Sequence, residues 1–305
     1  MAARAHHVRI DARRLEAYSA ELPIEEIRTR PLTVETPGGL EPHECAAFVI
    51  VLDAVNFGSG YFPHLQKRAG MSGYRTIEAS LRDWWNRVGP LTAEVLRGAD
   101  AELCAEIFGQ SLSTPEVAEL MGLFARAWRD LAAFGEDRHG GELSHLVRSA
   151  RGSAAALVRD LCWMPFYRDV AEYGGMPVPF LKRAQITVND LAVSVTPPFG
   201  SFWDLDRLTL FADNLVPHVL RLDGVLTFAA ELEARIERGD LLVAGSPEEV
   251  EIRACAVHAV EKLSAELAAR GESVTVRELD PWLWSRGQHA RYKERPRHRS
   301  RTVFY

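Results

Sequence analysis

Lysine is scarce in this 305-residue chain: of 36 basic residues only Lys67, Lys182, Lys262 and Lys293 are lysines. Arginine serves wherever positive charge alone is needed, so a lysine in an apolar stretch calls for a reason. Cysteine is as sparse, at Cys45, Cys104, Cys162 and Cys255, with no CxxC pair. That spacing excludes a zinc ribbon and a disulfide framework, and the thiols read as small buried apolar side chains. Basic charge is not in excess, since the formal net charge is −6. The electropositive footprint of a nucleic-acid binder is therefore missing, and small molecules, cationic ones included, suit the chain better. No apolar run reaches the ~20 residues of a membrane helix. The N-terminal stretch MAARAHHVRIDARRLEAY lacks an apolar signal core, so a cytoplasmic location is expected. No GxxxxGK[ST] loop, GxGxxG turn or HExxH pair occurs, which argues against phosphate-ester hydrolysis, dinucleotide binding and a metal site. Neither a cofactor nor an obligate protein partner is expected.

What is present is ample apolar material, 47% of the residues, broken by frequent helix signals. Residues 43–55 (HECAAFVIVLDAV) read as a buried helix and 58–75 as a loop. Thr76 suits an N-cap, with Glu78 in the first turn of a helix to about Arg87. Short helices are expected over 91–96 and 100–108. Thr114-Pro115 opens a longer one with apolar residues at 117, 120, 121, 124, 125 and 128. Two more short helices fit 142–163. Prolines and Gly174-Gly175 mark 164–200 as different in character, and residues 186–195 fit a strand or a helix. Helices resume over 214–222, 228–238, 248–270 and 275–284. The expected fold is mainly α: a single globular helical domain over 1–305, with a possible small β-hairpin, and with residues 1–40 an N-terminal extension packing on it.

Six strings carry a resemblance, in order along residues 51 to 305: VLDAVNF (51–57), FLKRAQI (180–186), LTLFADNLVPHVLR (208–221), GSPEEVEIRACAVHAVE (245–261), DPWLW (280–284) and RHRSRTVFY (297–305). Together they resemble the queuosine salvage family, the queuosine 5′-phosphate N-glycosylases/hydrolases. The resemblance implies a helical fold like that of the helix-hairpin-helix DNA glycosylases. It implies hydrolysis of a free mononucleotide, queuosine 5′-monophosphate, to queuine and ribose 5-phosphate, with no nucleic-acid partner. Asn214 departs from the tyrosine expected after Phe-Ala-Asp in that family. Two rival readings stay open, a non-catalytic queuine or nucleoside carrier and a nucleic-acid base glycosylase.

Among individual residues, Asp213 stands just before a helix with Pro217 in its first turn, where a carboxylate caps the helix or faces a cleft as an anion. Breaking a glycosidic bond builds positive charge on the ribose, which such an anion stabilises. With the resemblance, Asp213 and Lys182 are the catalytic candidates, in the lysine-then-aspartate order of the helix-hairpin-helix glycosylases. Lys182 offers a compact charge to a phosphate, or orients a carboxylate and water. Asp53 and Asn56, on or after an apolar helix, suit the N–H edge of a guanine-like base, or an internal arginine. Phe57, Trp84, Trp85 and Trp203 are stacking or core aromatics. Asp204 and Asp206 suit the charged secondary amine of queuine, or helix capping. Ser246 and Glu249 form a capping box, whereas Glu251 and Arg253 have no local partner and are candidates for substrate binding. Arg299 and Arg301 are candidate phosphate ligands, on a tail whose aromatic end suggests docking.

Overall fold

The structure is a computed structural model that describes residues 1–29 and 33–305. Arg30, Pro31 and Leu32 of the N-terminal extension lie outside the described residues. After a short 3-10 turn at Ala2–Arg4, the extension forms strand β1 (Val8–Ile10) and continues into α1 (Ala12–Glu21) and α2 (Ile24–Thr29). Asp11 starts α1 by accepting the Arg14 N–H at 2.9 Å.

The buried helix expected over 43–55 is α3 (Pro42–Asp53), with proline in its first turn. Next comes α4 (Gly73–Val88), which starts a turn earlier than Thr76 suggests. Ser72 is the cap, its hydroxyl accepting the Arg75 N–H, while Thr76 is 1% exposed and bonds back to the Ser72 carbonyl. Then follow α5 (Ala93–Arg97), α6 (Ala101–Phe108) capped by Asp100, and α7 (Pro115–His139) opening at Thr114-Pro115. Two short helices, α8 (Leu143–Ser149) and α9 (Ala154–Leu161), precede a hairpin of β2 (Val170–Tyr173) and β3 (Met176–Pro179). Gly174 and Gly175 make its two-residue turn at φ of 54° and 75°, which only glycine adopts without strain. Residues 186–194 are helical, within α10 (Lys182–Ser194), which buries Thr187, Val188 and Leu191, and the helix stops at extended Val195.

The chain closes with α11 (Val216–Leu222), β4 (Leu226–Phe228), α12 (Ala230–Glu237), α13 (Pro247–Ala269), α14 (Val276–Arg286) and α15 (Ala290–Lys293). Strand β4 pairs antiparallel with β1, Val8 opposite Phe228. No local pattern announced that second sheet, since its strands lie at opposite ends of the chain.

Two apolar cores result. One joins α3, α7 and α10, where Phe48, Leu52, Phe124, Trp128 and Leu191 are fully buried. The Trp128 indole N–H donates to the Val51 carbonyl at 3.0 Å, satisfying its one polar atom. The other core joins α1, α11, α13 and α14 with the β1–β4 pair. Fully burying each such leucine or phenylalanine contributes ~1.5–3 kcal/mol. Arg183, 0% exposed, links α10 to the end of α3 by donating to the Ala54 carbonyl at 2.5 Å, with its guanidinium over the Phe57 ring. The segment after α15 folds back onto the loop after α3. The Tyr305 carbonyl accepts the Gly58 N–H at 3.0 Å. A Cβ at Gly60 would sit 2.1 Å from the Ser300 carbonyl, so glycine is what lets the two backbones meet. Among the described residues, no helix is long and apolar enough to cross a membrane.

Candidate active site

A cavity of about 540 Å³ takes its walls from the loop after α3, the start of α4, one face of α10, residues 211–215, α14 and the segment after α15. Lys182, Ile186 and Asp190 recur every four residues on α10 and form one wall. Asp213, half-buried, lines the same cavity, and its charge acts on Lys182.

The loop that carries Asp213 is clamped from three helices. Gln185 of α10 accepts the Thr209 N–H at 2.7 Å. Asp280 of α14 accepts the Phe211 N–H at 2.9 Å. Arg253 of α13 donates through Nε to the Ala212 carbonyl at 3.0 Å. The same arginine makes a bidentate pair with Asp169, at 3.1 and 2.5 Å, and Asp169 also accepts the Lys182 N–H at 3.2 Å. One buried ion pair thus ties the backbone at Lys182 to the backbone beside Asp213. Asp213 is aimed by its own helix: its Oδ1 accepts the Leu215 and Val216 N–H groups at 2.7 and 3.1 Å.

Charge changes sign along the cavity. At one end stand Lys67, Lys293 and Arg297. Lys67 faces the other two, and burial followed by those like charges lowers its pKa. Among the described residues none of the three has a carboxylate within ion-pair distance, whereas nearby Arg75 and Arg295 are paired with Glu78 and Glu237. Arg297 leads to the centre, since Asp213 is the anion that acts on it. At the centre the Lys182 ammonium lies 3.4 Å from both the carbonyl and the Oδ1 of Asn56. Burial lowers its pKa, opposed by the charges of Asp213, Asp53 and Asp190. Asp280 is pushed up to about 8, by burial first and by Asp213 second, so it holds a proton at neutral pH. The far end holds Asp190, with Tyr74 and Trp284 edge-to-face at 6.5 Å.

A family model described as Queuosine salvage protein matches residues 38–305. The chain belongs to the queuosine salvage protein family. A relative from Sphaerobacter thermophilus, named queuosine 5′-phosphate N-glycosylase/hydrolase, is 39% identical over 270 residues, 85% of this chain and 81% of that protein. Relatives of the same name from Dictyostelium discoideum and Mus musculus are each 31% identical, over 85% and 77% of this chain and 78% and 72% of their own lengths. Strings that carry the family resemblance meet at the clamped loop: FLKRAQI brings Lys182 and Gln185, LTLFAD the loop itself, IRACAV Arg253 and DPWLW Asp280.

Of the site residues expected from sequence, Asn56, Phe57, Lys182, Asp213 and Arg299 line the cavity. Asp53 lies behind it, fully buried, one oxygen accepting the Asn56 side-chain N–H at 3.0 Å. Burial pushes that carboxyl up to about 6, and its bond to Asn56 holds in place a side chain that does line the cavity. The remaining candidates are placed elsewhere by partners distant in sequence. Trp203 is 73% exposed and packs near Gly152, outside the cavity. Asp204 caps α9, accepting the Ala154 and Ala155 N–H groups at 2.5 and 3.3 Å. Glu251 accepts the His7 and Val8 N–H groups at 2.6 and 3.0 Å and the Tyr173 hydroxyl at 2.7 Å, which fixes β1. Arg253 is the clamp described above. Arg301 reaches outward to Glu116 at 3.1 Å, and Arg299 spends one N–H on the Gly239 carbonyl at 2.9 Å.

Sequence reasoning missed Lys67, Lys293, Asp190, Asp280 and Tyr74. A signal existed for the lysines: three of the four in the chain line this one cavity. Asp280, between Leu279 and Pro281, carried the same signal as Asp53, an acidic residue with apolar neighbours.

Proposed function

We propose that the protein hydrolyses the N-glycosidic bond of queuosine 5′-phosphate, releasing queuine for return to tRNA and ribose 5-phosphate. The observation that carries this reading is the order of charge along the cavity. The substrate carries its groups in that order: an anionic phosphate, a ribose that turns cationic as its bond breaks, and a base. Phosphate matches Lys67, Lys293 and Arg297, which have no ion-pair partner among the described residues. The anomeric carbon matches Asp213 and Lys182, and the base lies against Asn56, Phe57 and Tyr74.

The C1′–N9 bond breaks with its electron pair leaving on the base. Position 7 of this base is carbon and takes no proton, so hydrogen bonds to other base atoms assist departure. The cation left on C1′ faces the Asp213 carboxylate, already oriented by Leu215 and Val216, so little reorganisation accompanies charge development. Water adds at C1′ and releases a proton, and the departing base takes one up. Lys182, held by Asn56, keeps Asp213 and the water in register.

Incubating the protein with queuosine 5′-phosphate and separating the products tests the reading. Equimolar queuine and ribose 5-phosphate are expected, at a rate unchanged by exhaustive chelation. Bound but intact nucleotide would make the protein a carrier instead. For the phosphate end, Lys67→Ala combined with Lys293→Ala is expected to lower kcat/KM on the nucleotide more than about tenfold, the equivalent of one charge-assisted contact. Turnover of the unphosphorylated nucleoside should change less than about threefold. Equal losses on both would move the phosphate elsewhere.

A further inference from the structure

We propose that Asp190 binds the secondary ammonium of the queuine side chain, and so makes the cavity selective for amine-bearing 7-deazaguanines. The inference rests on the proposed activity for the identity of the ligand. Asp204, which the sequence offered for this amine, is occupied capping α9. Asp190 is only 5% exposed, yet it lines the cavity. It stands two helical turns from Lys182 on the same wall, with Ile186 between them. The helix rise puts those two α-carbons ~12 Å apart, which leaves room for a bicyclic base and its aminomethyl arm.

The surroundings suit an organic cation. Tyr74 and Trp284 present aromatic surface at the same end of the cavity, and ring faces attract ammonium groups. The cation whose charge acts on Asp190 is Lys182, which is held at Asn56, and one Asp190 oxygen accepts the Asn189 side-chain N–H at 3.2 Å. Burial first, and the charge of Asp53 second, hold the Asp190 carboxyl well above its ordinary range. A ligand ammonium beside it would favour the ionised carboxylate. Guanine and unsubstituted 7-deazaguanine bring no such cation and gain nothing at this point.

Equilibrium binding of the free bases tests this independently of turnover. Dissociation constants of queuine and 7-deazaguanine, which share a ring system and differ in the amine arm, are measured for wild type, Asp190→Asn and Asp190→Glu. Wild type is expected to prefer queuine by more than about tenfold. Asp190→Asn should lose most of that preference while binding 7-deazaguanine within about threefold of wild type. Asp190→Glu, which keeps the carboxylate, should retain part of it. The inference is overturned if wild type shows no preference, if it binds neither base, or if Asp190→Asn keeps the preference. A binding preference without hydrolysis would overturn the proposed activity and leave this site standing.

Discussion

Asp213→Asn is expected to give a folded protein that still binds queuosine 5′-phosphate and turns it over at least about 100-fold more slowly. Asparagine caps helices as well as aspartate does, and its side-chain oxygen can still accept the Leu215 and Val216 N–H groups. What disappears is the negative charge facing the anomeric carbon. That charge interacts weakly with a neutral ribose and strongly with an oxocarbenium ion, so the loss falls on kcat and spares binding. Single-turnover release of queuine at saturating nucleotide measures it, with a melting curve as the control for the cap. A variant keeping more than about a third of wild-type kcat would remove Asp213 from the reaction.

The second large effect is on stability. Arg253→Met leaves Asp169 buried without its partner, and breaking one side of such a pair costs about 3–5 kcal/mol. The guanidinium also fills the space between the Phe180 and Tyr305 rings, with centroids 3.9 and 4.6 Å away. Methionine replaces some of that packing and none of the hydrogen bonds. Denaturant titration should show the midpoint falling with the slope unchanged. Turnover of the fraction that remains folded should fall too, because the Ala212 carbonyl next to Asp213 loses its anchor. Arg253→Lys keeps the charge but lacks the fork that serves Asp169 and Ala212 together, so it should lie between the two. A loss below about 1 kcal/mol for Arg253→Met would show that the pair is not a keystone of the fold.

The sequence was most legible where a residue acts on its own neighbours. Asp100, Thr114-Pro115 and Gly174-Gly175 do local work, and the helices and the hairpin turn stand where those residues put them. Thr76 misled because Ser72, four residues earlier, offered the same cap chemistry and left the threonine free to be buried. Polar residues without a local partner were ambiguous in principle. Glu251 and Arg253 looked free because their partners, His7 and Asp169, are 244 and 84 positions away. A buried charge demands a partner, but sequence does not say whether protein or ligand supplies it. Lysine scarcity did carry information about the cavity. It bore on Lys67 and Lys293 as much as on Lys182, but neither of those lies in an apolar stretch.

The docking of the segment after α15 onto Gly58 and Gly60 has a kinetic consequence. Asp280, Tyr292, Lys293, Arg297 and Tyr305 are all made well after Lys182 and Asp213, and each forms part of the cavity wall. The loop they meet is made more than two hundred residues earlier, and β1 likewise waits for β4. Contacts between such distant segments form slowly, because the intervening loop must be ordered before they are rewarded. The first core, built mostly from neighbouring helices, is free to assemble on the nascent chain. The cavity is not, so catalytic competence appears as a late event, separate from collapse. A chain cut short after α13 would carry Lys182 and Asp213 but lack Asp280, one of the three clamps on the Asp213 loop, and the segment that closes the chamber.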